Sequence, residues 1–472
     1  MKSNKIVLKL KKETNNSDDI IYRDLLLFGK KLILIFNEPL TSSDKISNFV
    51  IRSLNRIDSK KKIKSLNKII INNISNFKIT ELNNYDEIVF YLNRGFVIIV
   101  SDEKPLALET KAPLYRSIST PIAETTVRGS RDSFVEDIQL NTGLIKKRIK
   151  SNNLWIKNFY IGKETKTKTS ILYMSNLSNK SYIKAITKKL NSLNIDGIID
   201  GEVLKNLLIK KNNSSFPVIQ TTERPDLVCN SLLEGKVAII IDNSCYALVL
   251  PVTINDFFKT PDDIYSKNIS VTFIRILKFL AFFIAITGPG LYIALVNYNQ
   301  EIIPTKLLVN FATQRSGVPF PAFVEAFVMI FAFDLIREAD IRMPSVSTGS
   351  LSIVGALILG EAAVNAGIVS PIMIITIAFT AICSLPFTEP EFINSLRIYR
   401  IIFMIGGTVL GVVGIVMAFI FFLINLVSTN SLGIPYLMPF SPIDPKGIKD
   451  SIIKVKTTSK TIRSNKLGDQ KK

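Results

Sequence analysis

Apolar positions change their spacing part-way along the chain. Up to about residue 270 they come in short runs, such as Phe96 to Val100 and Val237 to Ile241, divided by polar turns and by helical periodicities, the pattern of an α+β or α/β region. From residue 273 the runs lengthen: FIRILKFLAFFIAITGPGLYIALVN (273–297) is long enough to cross a hydrocarbon core, which needs roughly 20 apolar residues. Arg275 and Lys278 at its start are expected to snorkel to the interface. Further spans are expected at 349–368, 371–387 and 400–427, which makes residues 271–442 an all-α transmembrane helical bundle. Glu325, Asp334, Arg337 and Glu338 interrupt the stretch 319–339, which reads as a helix in the interface or tucked against the bundle, with a fifth span as the alternative.

The region before the spans carries one pattern twice. Leu92-Asn93-Arg94-Gly95 leads into Phe96 to Val100, a turn, Leu106 to Leu108 and Pro113; Leu232-Leu233-Glu234-Gly235 leads into Val237 to Ile241, a turn, Ala247 to Val249 and Pro251. Two related modules follow, at 19–120 and 151–270, after a flexible leader at 1–18 and on either side of a charged junction at 121–150. A basic tail occupies 443–472.

Charge then fixes orientation. The net +20 is carried by the regions before and after the spans, +14 up to residue 270 and +6 from residue 443. Basic flanks on a neutral apolar region mark cytoplasmic segments beside a membrane and not a nucleic-acid surface. Four spans return the tail to the side of the modules, whereas five would strand it outside. The first twenty residues lack an apolar run of signal-peptide length, so no cleaved signal is expected.

Composition argues against an enzyme. There is no histidine, and Cys229, Cys245 and Cys383 lack metal or redox spacing, so no catalytic residue, cofactor site or metal site is assigned. Too few glycines converge anywhere to form a phosphate loop.

Three segments remain as candidates. In the junction, Arg128 and Arg131 can pair with Glu124, Asp132 or Glu136, and Glu223-Arg224-Pro225-Asp226 forms a second compact charged site. Both serve as structural ion-pair clusters or as subunit contacts. Gly288-Pro289-Gly290 is expected to kink or break the first span. In the small-residue segment 349–367, Glu361 and Asn365 lie one turn apart near a membrane end. That segment is either an interhelical contact or a pore helix, with Ile353, Val354, Leu357 and Ile358 as apolar constrictions. The last span also carries Gly406, Gly407, Gly411 and Gly414.

Several motifs in collinear order resemble one family, the A subunit of spore germinant receptors. They are the RGSRDSF core (128–134), Asn141 with Ile145 to Lys150, Thr222 to Asp226, Leu233 to Ile240, Glu301 to Pro304, Val318 to Pro321 with Glu325, Leu335 to Pro344, and Ser352 to Ala363. Ser130 stands where that core usually has proline, and Glu361 where an amide is often found. The resemblance implies a multi-pass protein of the spore inner membrane, with the N-terminal modules and the tail cytoplasmic. It also implies a homo-oligomer, possibly a pentamer, working with a permease-like B subunit and a lipoprotein C subunit in contact with membrane lipid. The function implied is a nutrient-gated channel that releases monovalent cations to start germination. The alternative is a non-conducting scaffold that relays the signal through its cytoplasmic domain.

Overall fold

The computed structural model describes residues 3–57, 65–74, 78–113, 124–126, 129–209, 214–342 and 350–453. They fall into two compact units, residues 3–209 with 218–252, and residues 214–217 with 253–453.

The first unit is built on two five-stranded sheets. One holds β1 (Ile20–Leu27), β2 (Lys30–Asn37), β3 (Ile79–Glu81), β4 (Phe96–Val100) and β5 (Leu106–Glu109) in the order β1-β2-β4-β5-β3. The other holds β6 (Leu154–Ile161), β7 (Thr167–Met174), β8 (Gln220–Thr222), β9 (Val237–Ile241) and β10 (Ala247–Leu250) in the order β6-β7-β9-β10-β8. The two orders are the same, so the pattern repeated in sequence is repeated in topology. Every pairing is antiparallel, which makes the unit α+β and removes the α/β alternative.

The unbroken apolar strands follow from burial on both faces. On the first sheet, Ile33, Ile35, Phe96, Ile98 and Val100 pack with helices α1 (Ser3–Glu13) and α3 (Tyr85–Leu92). Leu32, Leu34, Val97, Ile99 and Leu106 pack on the other face with helical residues 43–55 and α2 (Leu66–Asn73). On the second sheet, Leu172, Ala238, Ile240 and Val249 face α4 (Ile138–Arg148) and α7 (Pro225–Leu233). Helices α5 (Lys180–Asn191), through Tyr182, Ile186 and Leu190, and α6 (Gly201–Ile209), through Leu204 and Leu208, bury apolar side chains in the same module. The glycine before β4 has φ +80°, and a Cβ there would come within 2.5 Å of the Leu40 carbonyl oxygen, so both conformation and space demand Gly95. Gly235 holds the matching place before β9 with φ +93°.

The leader is not a loose tail. Ile6 and Leu10, one turn apart on α1, are buried in the first sheet's core. Beyond α1 the chain reaches the second sheet: the Ser17 hydroxyl accepts from the Ile156 N–H at 2.9 Å, and Asp18 accepts from the Asn158 N–H at 2.8 Å. Asp19 and Lys146 form an ion pair in which both side chains are buried.

The second unit is helical. Its elements are α8 (Asn268–Asn297), α9 (Thr305–Arg315), α10 (Ala322–Arg342), α11 (Ser350–Asn365), α12 (Pro371–Ser384), α13 (Pro390–Leu410), α14 (Val412–Ser428) and α15 (Pro445–Ile452). Two of them, α8 and α13, are long and apolar enough to cross a membrane, and α12 and α14 are shorter apolar helices.

Three expectations need correction here. Gly288-Pro289-Gly290 does not break the first span, because α8 runs through Pro289 as one helix. Proline has no N–H to give to the carbonyl four residues back, and that carbonyl, on Ala285, accepts instead from the Arg400 Nε–H at 2.8 Å. The span at 400–427 is two helices: Gly411, with φ +59° and ψ −137°, ends α13 and turns the chain into α14. Arg275 and Lys278 do not snorkel but are buried, and Arg275 pairs with Asp263 at 2.8 Å while donating to the Asp450 carbonyl at 2.6 Å. The interrupted stretch is a helix tucked against the bundle, one of the readings the sequence offered. The α10 side chains Ala322, Ala326, Met329 and Ile330 join Tyr292, Ile293, Met373 and Met404 in one core. Its charges are matched from neighbouring helices, Asp334 by Arg397 at 3.1 Å and Glu325 by Arg315 at 3.5 Å.

Glycines set the helix spacing. A Cβ on Gly290 would sit 2.6 Å from the Phe403 carbonyl oxygen, one on Gly407 2.4 Å from that of Gly290, and one on Gly414 2.0 Å from that of Gly406. The end of the bundle where α8 and α13 begin is closed by aromatic rings. Phe216, from the short segment 214–217, stacks on Tyr399 at 5.4 Å and meets Phe392, Phe422 and Tyr436. Ser215 and Ser214 tie the same segment to Ser395 and Thr429.

Two predictions follow from this packing. Gly414→Ala is expected to cost about 1–3 kcal/mol by overpacking, read as a lower thermal midpoint of the detergent-solubilised protein, while Gly317→Ala, whose Cβ would meet nothing within 4 Å, leaves it unchanged. Arg400→Leu orphans the Ala285 carbonyl and is expected to cost about 1–3 kcal/mol. In a Pro289→Ala background, which restores the backbone donor, the same change should cost measurably less, and equal costs in both backgrounds would refute the pairing.

Candidate functional site

The charged junction folds around Arg224, which is fully buried. A buried guanidinium needs acceptors for its donors. Asp226 takes Nε and Nη2 at 3.1 and 2.7 Å, and the Glu124 and Ser130 carbonyls take Nη1 and Nη2 at 3.0 and 2.9 Å. Thr126 accepts a further contact at 3.3 Å. Arg224 thus gathers Glu124, Thr126 and Ser130 against the start of α7.

The Glu124 carboxylate accepts from the Thr222 hydroxyl at 2.5 Å and the Glu223 N–H at 3.2 Å, while Glu223 accepts from the Glu124 N–H at 2.8 Å. Burial, aided by the neighbouring Glu223 charge, outweighs these hydrogen bonds and pushes the Glu124 carboxyl up to about 7.

Pairing differs from the sequence expectation. Asp132 is taken by Arg148 at 2.5 Å, and Arg131 is exposed. Burial would raise the Asp132 carboxyl, but the hydrogen bonds from Arg148 and Ser130 hold it below the usual range. Arg128 lies outside the described residues. Glu136 is exposed, and its carbonyl accepts from the Asn243 N–H at 2.8 Å. Arg148 was missed as the partner; its signal was the basic run 146–148 closing a helix whose N-cap is Asp137.

In the helical unit, α11 packs mainly on α10. The side chains of Ile353, Val354 and Leu357 lie outside the described residues. Ile358, 61% exposed, is followed on one face by Glu361 and Asn365, both exposed, while Gly360 is buried on the other side. The protomer therefore leaves a stripe of one carboxylate, one amide and apolar side chains without cover. Sequence reasoning placed Glu361 and Asn365 on one face but did not find the polar cluster beside them. There, buried Glu325 accepts from the Ser370 N–H and hydroxyl at 2.9 and 2.8 Å and faces Arg315. Gly288, Pro289 and Gly290 are not part of either site: Pro289 and Gly290 serve the α8–α13 crossing, and Gly288 faces Thr380 of α12.

Among the described residues no group of acidic, cysteine or histidine side chains could hold a metal ion. The arrangement around Arg224 and beside α11 is one of packing and charge pairing.

Comparison with known proteins gives a consistent picture. The family model described as GerA, Bacillus/Clostridium GerA spore germination protein, matches residues 8–466. Spore germination protein KA of Bacillus subtilis is 35% identical over 458 residues, covering 96% of this chain and 84% of that protein. Spore germination protein B1 of the same organism is 34% identical over 462 residues, covering 95% and 93%. Spore germination protein GerLA of Bacillus cereus is 31% identical over 454 residues, covering 95% and 92%. The crystal structure of the N-terminal domain of the A subunit of the Bacillus megaterium spore germinant receptor GerK3 aligns with 52% of this chain and 92% of its own, at 24% identity and a TM-score of 0.41.

The raised Glu124 carboxyl has a consequence for pH. Its folded value near 7 exceeds the ordinary 4.5, so between these values the folded chain holds a proton that the unfolded chain releases. Stability from this group is complete below about pH 4.5 and is lost as pH rises through 7. Glu124→Gln, which keeps the shape and removes the titration, should flatten the fall in thermal midpoint between pH 5 and pH 7.5 that the unaltered protein shows.

Proposed function

The chain belongs to the Bacillus/Clostridium GerA family of spore germination proteins, and from that membership we propose that it is the A subunit of a germinant receptor whose copies assemble into an ion-conducting membrane channel. The observation that carries the channel reading is the uncovered stripe Ile358, Glu361 and Asn365 on α11. A carboxylate facing lipid costs several kcal/mol. Glu361 is therefore covered by a neighbouring copy or by water, and a ring of copies with α11 toward its axis supplies both.

Helix directions support a multi-pass topology. Successive contacts of α8 with α13 run in parallel, from Phe282 with Phe392 to Tyr298 with Thr408. Those of α13 with α14 run antiparallel, Gly406 meeting Gly414 and Tyr399 meeting Phe422. Six helices, α8 and α10 to α14, then cross in alternate directions. Two more crossings than the four read from sequence leave the parity unchanged, so both basic flanks lie on the cytoplasmic side. In this reading the protein resides in the spore inner membrane. It works with a permease-like B subunit and a lipoprotein C subunit, and opening lets monovalent cations out at the start of germination. Five copies would close the ring.

An apolar ring gates by dewetting, without a bulky plug. Val354→Ala or Ile358→Ala, introduced into the full-length chain in potassium-loaded liposomes, should raise basal potassium efflux about tenfold. Unaltered efflux from an intact oligomer would leave α11 as a packing helix and favour a non-conducting scaffold.

A further inference from the structure

The second sheet has a lysine cleft beside β6, the strand whose edge also receives Asp18, and carboxylates at its other edge. At the β6 edge an open cleft of 540 Å³ runs between that strand and α5, lined by Lys157, Ile183, Lys184, Thr187, Lys188, Asn191 and Ser192, three lysines and no carboxylate. Helix periodicity explains it. Tyr182, Ile186 and Leu190 turn one face of α5 into the core, which leaves Lys184 and Lys188, a turn apart, on the outer face beside Lys157.

The other edge, formed by β10 and β8, is acidic with an apolar border. The start of α6 lies against it: Gly201 abuts Ser244, and Glu202 accepts from the Thr221 hydroxyl of β8 at 3.0 Å. Beside them the Cys245 thiol is hydrogen-bonded to Glu136 and lies in the field of Asp200. Ile199, 80% exposed, and Tyr246, 37% exposed, flank these carboxylates. Glu202 is paired with buried Lys205 at 3.4 Å, which leaves Glu136 and Asp200 as the charge of this edge, and an isoleucine so exposed beside them is a poor surface to leave in water.

Strand order puts β6 and β8 at opposite ends of one five-stranded sheet, so one copy presents both a basic cleft and an acidic, apolar edge, facing different ways. We infer that copies of this chain associate head to tail through these edges, the lysine cleft of one receiving the Glu136, Asp200 and Ile199 edge of the next. A contact between two different patches needs no two-fold axis and closes into a ring when the rotation fits. The inference deepens the oligomer of the proposed function and rests on it. It gives the assembly a second contact, in the α+β unit, that is separate from α11. Complementary charge steers the encounter and sets register, and Ile199 and Tyr246 add the apolar area that charge alone does not.

The test uses full-length chain in phosphatidylcholine nanodiscs, which offer no anionic lipid to the lysines. Equal amounts of ¹⁴N- and ¹⁵N-labelled protein are mixed, coupled with a zero-length carbodiimide reagent and examined by mass spectrometry. The expected result is mixed-isotope peptide pairs joining Lys184 or Lys188 to Glu136 or Asp200. Each charge reversal removes its own coupling groups, so it is read on the oligomer: Lys184→Glu with Lys188→Glu should lower the oligomeric fraction about tenfold, as should Glu136→Lys with Asp200→Lys, a change equal to ~1.4 kcal/mol. Mixing these two charge-reversed chains should restore the contact between unlike copies, which misfolding would not do.

Oligomers that form without such pairs and ignore both reversals would overturn the edge contact while leaving the channel reading intact. A chain that stays monomeric in lipid would overturn both. Lysines that become protected only when phosphatidylglycerol is added, with no mixed-isotope pairs, would assign the cleft to an anionic lipid surface and overturn the contact between copies.

Discussion

The helical unit depends on the place where α8 and α13 cross with backbone almost touching backbone. Gly290 and Gly407 make that approach possible, since either Cβ would fall inside 3 Å of a carbonyl oxygen on the other helix. In a membrane, apolar side chains gain little by leaving lipid, so close packing of this kind is a main source of helix association. Pro289 sits beside the same crossing and removes one backbone donor, which would orphan a carbonyl inside the bundle. Arg400 supplies the missing donor from the opposing helix. A proline on one helix and an arginine on the other are thus one device: the carbonyl needs the guanidinium, and the buried guanidinium needs an acceptor. That link fixes register along the crossing, while the glycines fix distance.

The α+β unit solves its own assembly differently. Two sheets of the same order each bury their faces under their own helices, so apolar contact alone leaves many ways for the two modules to meet. Polar contacts with strict geometry select one. Asp19 meets Lys146, the Ser17 hydroxyl meets the backbone of β6, and Arg224 holds Glu124 and Ser130 through their carbonyl oxygens. Because these contacts involve buried charge, breaking one partner strands the other, and the penalty falls on any misaligned arrangement.

Much of this was legible in the sequence, for physical reasons that also mark its limits. The repeat could be seen because Gly95 and Gly235 stand before the central strands of both copies, each in a backbone conformation that favours glycine. The apolar runs announced buried strands and long helices. What could not be read was which partner a charge would choose: Asp132 takes Arg148, sixteen residues away, and not its neighbour Arg131. The leader was misread because its apolar positions, Ile6, Val7, Leu8 and Leu10, are confined to five residues flanked by lysines and polar residues, too short a signal for periodicity. The span at 400–427 was taken as one helix because nothing in composition distinguishes a glycine that packs from one that turns; only the positive φ of Gly411 does so. At α11, spacing placed Glu361 and Asn365 together, but that their face lies uncovered is a property of the folded protomer and not of the helix.

The seat of Phe216 bears on how the chain is made. The residues that receive it come late in translation: Ser395, bonded to Ser215, lies 180 positions further on, and Phe422 and Tyr436 are later still. When the ribosome has delivered the first long helix, Phe216 has nowhere to go. The aromatic end closes only after α14 and the turn beyond it have emerged, so a chain that stalls before Tyr436 keeps an unsatisfied phenylalanine at the membrane surface. A single early side chain thus depends for its burial on the last parts of the bundle to be made.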